Sequence, residues 1–156
     1  MNWEAIGAVG EILGAAAVVL SLVYLAMQIR TQNRESRLLA MHEISVGFRE
    51  AVSKFTTEDM SKLMVRANAN FDDLADDEAM RLVATYGGMY RAWEEAYIQH
   101  DEGRLDQRSW DAMTKYYLLA LSSGGAQRAW ALRKDYLDSE FVKFVDKLTL
   151  GDYKFR

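Results

Sequence analysis

The chain opens with an unbroken apolar run, and its later segments repeat apolar residues every three or four positions. Residues 6–27 contain one charged side chain, Glu11, and residues 12–27 carry no charge on any helical face. A membrane span needs about 20 predominantly apolar residues at about 1.5 Å of rise each. The 22 residues of this run would extend about 33 Å as a helix. The pattern therefore predicts a transmembrane helix at the start of an all-α protein.

Two other readings of the run are weaker. A secretion signal needs a basic leader, a shorter apolar stretch and a small-residue cleavage site. Here the leader "MNWE" has an acid and neither Lys nor Arg, and the run ends at "MQIRTQNR" with no good cleavage pattern. A buried core helix usually keeps a polar face, which residues 12–27 lack. We therefore favour a membrane span over both.

The flanking charges predict the orientation of the span. Arg30, Arg34 and Arg37 follow the run, whereas the acid Glu4 precedes it. Basic flanks stay on the cytoplasmic side. We therefore expect residues 1–30 to form a transmembrane helix with its N-terminus outside, and residues 31–156 to form a cytoplasmic α-helical domain.

The same flanks supply candidate contacts with lipid. Trp3 is placed to anchor the outer interface. Arg30, Arg34 and Arg37 follow one another at four and three residues, so they share a helical face that can meet anionic headgroups. They also serve as ordinary stop-transfer charges, and the two roles are compatible.

Small and polar residues recur at three- and four-residue steps along the run. Small residues let helices approach closely, and polar ones hydrogen-bond across the contact. We predict a helix–helix contact face made of Gly7, Gly10, Glu11, Gly14, Ser21 and Gln28. The alternative is that glycines are merely common in spans and that Glu11 snorkels outward.

The remaining chain predicts a bundle of about five or six helices, counting the span's extension through residues 33–55. Residues 33–55, which extend the span, carry an apolar stripe. Thr56 or Thr57 then begins a short helix to about Asn68. Aromatic residues at helical spacing predict a core helix over about 77–101, in which Gly87 and Gly88 suggest a close crossing or a kink. The later predicted elements are a helix from Asp106 to about Leu121, a turn at "SSGGAQ", a short helix "AQRAWALRK" and an amphipathic helix "DSEFVKFVDKL".

The composition argues against several kinds of binding site. The net charge of −4 gives no general attraction to nucleic acid. The chain has no Cys, so disulfides and thiolate metal sites are excluded, and it has no Pro, which favours long helices. Five acids between Asp72 and Glu78 lack the central glycine of a calcium loop, so helix capping is the better interpretation.

No motif in the chain indicates catalysis. His42 and His100 lack partners at metal-ligand spacing, and phosphate-binding loops, dinucleotide motifs and nucleophile elbows do not occur. We therefore expect a protein that is not an enzyme, with no catalytic, cofactor or metal residues.

The opening "NWEAIGAVGEILGAAAVVLSLVYLAMQIRTQN" resembles that of a group of uncharacterised bacterial single-pass membrane proteins, as do "RAWEEAYIQHDEGRLDQRSWDAM" and "DSEFVKFVDKL". The resemblance implies a helical protein of the bacterial inner membrane and supplies no activity. Our prediction is a non-enzymatic, membrane-anchored assembly or accessory subunit, as a homo-oligomer or within a larger complex. The alternative is a small homo-oligomeric channel with Glu11 and Gln28 lining a pore.

Overall fold

The chain folds into helices alone over the residues that a computed structural model describes, which are 2–153 without the side chain of Ala5. The all-α class and the helical bundle are thereby confirmed. The chain divides into two compact units, Met1–Leu39 and Ala40–Arg156. The six α-helices of the described range are α1 (Trp3–Ser53), α2 (Glu58–Ala69), α3 (Asp76–Asp101), α4 (Gln107–Leu121), α5 (Gly124–Arg133) and α6 (Ser139–Asp146).

The first helix continues without a break far beyond the apolar run, as the sequence predicted. α1 contains 51 residues and no Pro or helix-ending glycine motif. In the second unit, its last turns present the predicted apolar stripe, with Ile44 buried and Met41, Phe48 and Val52 partly buried. This end of α1 is therefore part of the bundle.

The centre of the bundle is α3, which contacts α2, α4, α5 and α6. Its predicted aromatic stripe is core: Tyr86, Tyr90 and Trp93 are almost fully buried, and Tyr97 is partly buried. The hydroxyl group of Tyr90 donates a hydrogen bond to the carbonyl oxygen of Ala126 at 2.6 Å. The stripe thus packs α3 against its neighbours rather than forming a ligand box.

Two α-helices, α4 and α6, begin with an Asp whose side chain caps the first turn. The side chain of Asp106 accepts a hydrogen bond from the backbone N–H of Ser109 at 3.0 Å, as a predicted N-cap should. Thr57 occupies the N-cap position of α2. After α3 ends, Gly103 adopts a φ of +70°, which a glycine does without steric cost.

The segment "SSGGAQ" is only partly the turn that the sequence predicted. Ser123 is the N-cap residue, and Gly124 and Gly125 already belong to the first turn of α5. A Cβ at Gly125 would lie 3.1 Å from both Ala67 Cβ and Asn68 Oδ1. The close approach of α5 to the end of α2 therefore favours a glycine there.

An ion pair between exposed Arg91 and buried Glu94 fixes the connection between α5 and α6. Glu94 is 6% exposed and accepts hydrogen bonds from Arg91 Nη1 at 2.7 Å and from the backbone N–H of Asp138 at 2.5 Å. Arg91 Nη2 donates to the carbonyl oxygen of Tyr136 at 2.6 Å. The two side chains thereby hold the start of α6 against α3.

Candidate functional site in the apolar helix

The apolar segment, residues 6–27, has every side chain exposed to the surroundings of the chain. Its most apolar 18-residue window has a mean hydropathy of 2.2 and no buried residue. The helix is therefore long and apolar enough to cross a membrane. A core helix of a soluble protein passes the same length and composition test but is mostly buried within its own chain.

The contact face predicted from sequence lies on one side of α1, because spacings of three, four and seven residues return to the same side of an unbroken helix. A Cβ added at Gly7, Gly10 or Gly14 would meet no described atom within 4 Å. No part of the described chain therefore makes use of these glycines.

The three polar residues of the face differ in their hydrogen bonds. Ser21 Oγ donates to the carbonyl oxygen of Ala17 at 2.8 Å, and Gln28 Nε2 donates to the hydroxyl oxygen of Tyr24 at 2.5 Å. Both satisfy part of their polarity within α1. The carboxylate of Glu11 forms neither a hydrogen bond nor an ion pair with the part of the chain that the structure describes.

The residues assigned to lipid contact stand exposed on the same helix. Trp3 is 71% exposed near the start of α1. Arg30, Arg34 and Arg37 are all exposed and form no ion pair within residues 2–153. Their guanidinium groups therefore remain available to an external anion.

Neither histidine lies in an arrangement that indicates catalysis or metal binding. His42 is exposed, whereas the ring of His100 stacks on Trp110 with centroids 5.0 Å apart and its Nδ1 lies 3.3 Å from the carbonyl oxygen of Leu105. Within the described residues, no group of three or more His, Cys, Asp or Glu side chains is placed to hold a metal ion.

The second unit contains an open groove that sequence reasoning missed. It lies between the last turns of α1 and the middle of α3 and has a volume of about 520 Å³. Small residues from both helices form its floor: Gly47, Ala51, Gly88 and Ala92. Gly87 and Gly88 were expected to mark a close crossing or a kink: among the described residues, a Cβ at Gly87 would meet only the side chain of Arg133, at 3.9 Å, and a Cβ at Gly88 would meet nothing within 4 Å.

Comparison of the chain with protein-family models, curated proteins and solved structures finds no match. The resemblance to bacterial single-pass membrane proteins therefore stays a prediction. The function has to be argued from the apolar segment and the bundle themselves.

Proposed function

We propose that this protein is a non-enzymatic, membrane-anchored assembly or accessory subunit of a bacterial inner membrane. Residues 6–27 would cross the bilayer once, and the bundle would lie in the cytoplasm. The observation that carries the proposal is the complete exposure of the apolar segment.

The energetics of that exposure favour a lipid environment. Twelve large hydrophobic side chains of the segment are more than half exposed. Removing a fully exposed side chain of this kind from water is worth about 1.5–3 kcal/mol, so even at partial exposure the sum is comparable with the total stability of an ordinary domain, about 5–15 kcal/mol. An apolar surface of this extent marks contact with a membrane or a partner.

The contact face supports association beyond simple anchoring. Gly7, Gly10 and Gly14 leave the helix backbone accessible on one side, and nothing in the described chain occupies that space. Close approach of a second helix there would bring backbone and small side chains into van der Waals contact.

Glu11 fits the same interpretation. A carboxylate inside a span is costly and usually faces protein or a water-filled cavity. Because Glu11 has no partner within residues 2–153, a neighbouring helix would supply one. Gln28, by contrast, already uses its amide on Tyr24, which favours a packed helix contact over the alternative of a pore lined by both residues.

The basic flank supports the orientation. Arg30, Arg34 and Arg37 are exposed and unpaired in the described chain, as stop-transfer charges at a cytoplasmic surface would be. Exposed guanidinium groups are also suited to bind anionic lipid headgroups on that side.

Three variants of the full chain test the association. In lipid nanodiscs or mild detergent, Gly14→Leu should still enter the membrane but lose its complex, because added bulk closes the access to the backbone. Leu20→Ile, on another face, should retain the complex as a matched control. The measurement is the mass of the intact complex by native mass spectrometry.

Glu11→Gln separates the two functional candidates. A protonated carboxyl group hydrogen-bonded to a neighbouring helix is mimicked by glutamine, so assembly should change little. A large loss on this change would instead favour an ionised carboxylate in a pore.

If Gly14→Leu assembles like the parent chain, the face points to lipid and the assembly proposal fails.

A further inference from the structure

The groove between α1 and α3 has glycines that the fold does not need. A Cβ at Gly47 or at Gly88 would meet no described atom within 4 Å, and neither residue has the positive φ that favours glycine. Each glycine costs about 1 kcal/mol relative to alanine in a helix interior. Inside this chain nothing offsets that cost, whereas a partner approaching the two backbones would.

Charged residues of both signs line the groove, and this chain leaves some of them unpaired. Lys54 lies in the turn directly after the end of α1, and Glu95 lies on the α3 wall. Neither side chain forms an ion pair among the described residues. Glu50, on the α1 wall, is likewise unpaired. The remaining charged pair of the groove, Arg91 with Glu94, is occupied in holding the start of α6.

We propose that this groove is the docking face for a second copy of the same chain, related by a two-fold axis. A two-fold interface has to be complementary to itself. Lys54 of each copy then pairs with Glu95 of the other copy, so the interface contains two equivalent ion pairs. Gly47 and Gly88 let the facing helices approach closely at the centre. This inference rests on the proposed assembly function and names a surface for it in the bundle.

A groove-filling variant tests the surface without disturbing the fold. Gly88→Leu adds bulk where the chain itself has open space, so the unfolding midpoint of the full chain should be unchanged or higher. The dimer dissociation constant in lipid nanodiscs should rise at least about tenfold, equivalent to about 1.4 kcal/mol. Ala112→Leu, at an exposed position of α4 outside the groove, is the matched control and should leave dimerisation unchanged.

Charge reversal tests the pairing. Lys54→Glu places two acids opposite each other in both halves of the interface and should weaken the dimer about tenfold. The double variant Lys54→Glu with Glu95→Lys restores opposite charges and should recover most of the affinity. A double variant as weak as the single one would overturn the pairing.

Because the chain has no cysteine, cross-linking reports the geometry directly. A chain carrying only Lys54→Cys, mixed in one membrane with a chain carrying only Glu95→Cys, should give an oxidised heterodimer, whereas Lys115→Cys mixed with Glu95→Cys should not.

The outcomes separate this inference from the function on which it rests. A complex that resists Gly88→Leu but is lost with Gly14→Leu overturns the groove and leaves assembly through the apolar helix standing. A complex with a different protein that Gly88→Leu disrupts overturns the second copy as occupant. A parent chain that is monomeric and without a partner in its native membrane overturns both proposals.

Discussion

Trp93 is enclosed by other rings at the centre of the bundle. Its ring stacks on Tyr117 with centroids 5.1 Å apart and meets the edge of Phe141 at 5.5 Å. The indole N–H of Trp93 and the hydroxyl group of Tyr117 are buried without a hydrogen-bond partner among the described residues. Burial also raises the pKa of Tyr117, so the phenol is neutral at physiological pH. The contribution of this pair to stability is therefore packing.

Replacing Trp93 by Ala should lower the free energy of unfolding by about 3–5 kcal/mol, because the cavity removes ring contacts that no neighbour can replace. Denaturant unfolding of the full chain in mild detergent, followed by circular dichroism, measures the loss. Tyr136→Ala, at a side chain that is 71% exposed, is the control and should change little. A loss for Trp93→Ala below about 1 kcal/mol would place the stripe outside the core.

The roles of single glycines can be predicted from the sequence only where those roles are local. Gly103 has a local role, because its positive φ serves the turn that directly follows α3. Gly125 and Gly88 both lie in helices, yet Gly125 is favoured by its tight contact with Ala67 and Asn68, whereas Gly88 faces open space. Only the packing of distant segments separates the two cases, so no local pattern could.

At the scale of elements, α2 and α3 are joined by exposed ion pairs. Arg66 donates to both carboxylate oxygens of Glu78, at 2.6 and 2.8 Å, and Arg81 pairs with Asp59. Hydrogen bonds from Thr57 and Arg81 lower the pKa of Asp59 to about 2. The hydrogen bond from Arg66 is the largest cause that lowers the pKa of Glu78.

These lowered pKa values predict that acid weakens the ion pairs between α2 and α3. Unfolded carboxyl groups titrate near pH 4, so the stabilisation is complete above about pH 5 and is lost as the pH falls through the lower folded pKa values. The unfolding temperature should therefore fall between about pH 5 and pH 2, and Glu78→Gln should make that fall shallower. Glu43→Gln, at an exposed position of α1, is the control. An identical slope for Glu78→Gln and the parent chain would contradict the assignment.

Helical periodicity predicted the last turns of α1, together with α3, α4 and α6, because each of them buries one face whose residues repeat at three and four positions. It did not predict the start of α5 at Gly124, where the backbone is fixed by the end of α2. Nor did it indicate that Glu94 is buried, since its partner Asp138 lies 44 residues further along the chain. The groove was missed for the same reason, because α1 and α3 meet only in the folded bundle.

At the scale of the whole molecule, the proposed function requires the two ends of the apolar segment to lie on opposite sides of a membrane. The segment is long and apolar enough to cross a membrane, and its basic flank predicts an external N-terminus and a cytoplasmic bundle. Both proposed modes of assembly require that arrangement, because the contact face would then lie in the bilayer and the groove in the cytoplasm.

Labelling of single cysteines in spheroplasts tests this arrangement most directly, since the parent chain has no cysteine of its own. Asn2→Cys and Lys115→Cys occupy exposed positions before the apolar segment and in α4 of the bundle. A membrane-impermeant maleimide should label Asn2→Cys in intact spheroplasts and Lys115→Cys only after lysis. Labelling of Lys115→Cys before lysis, or recovery of the protein in the soluble fraction, would contradict the proposed membrane anchoring and orientation.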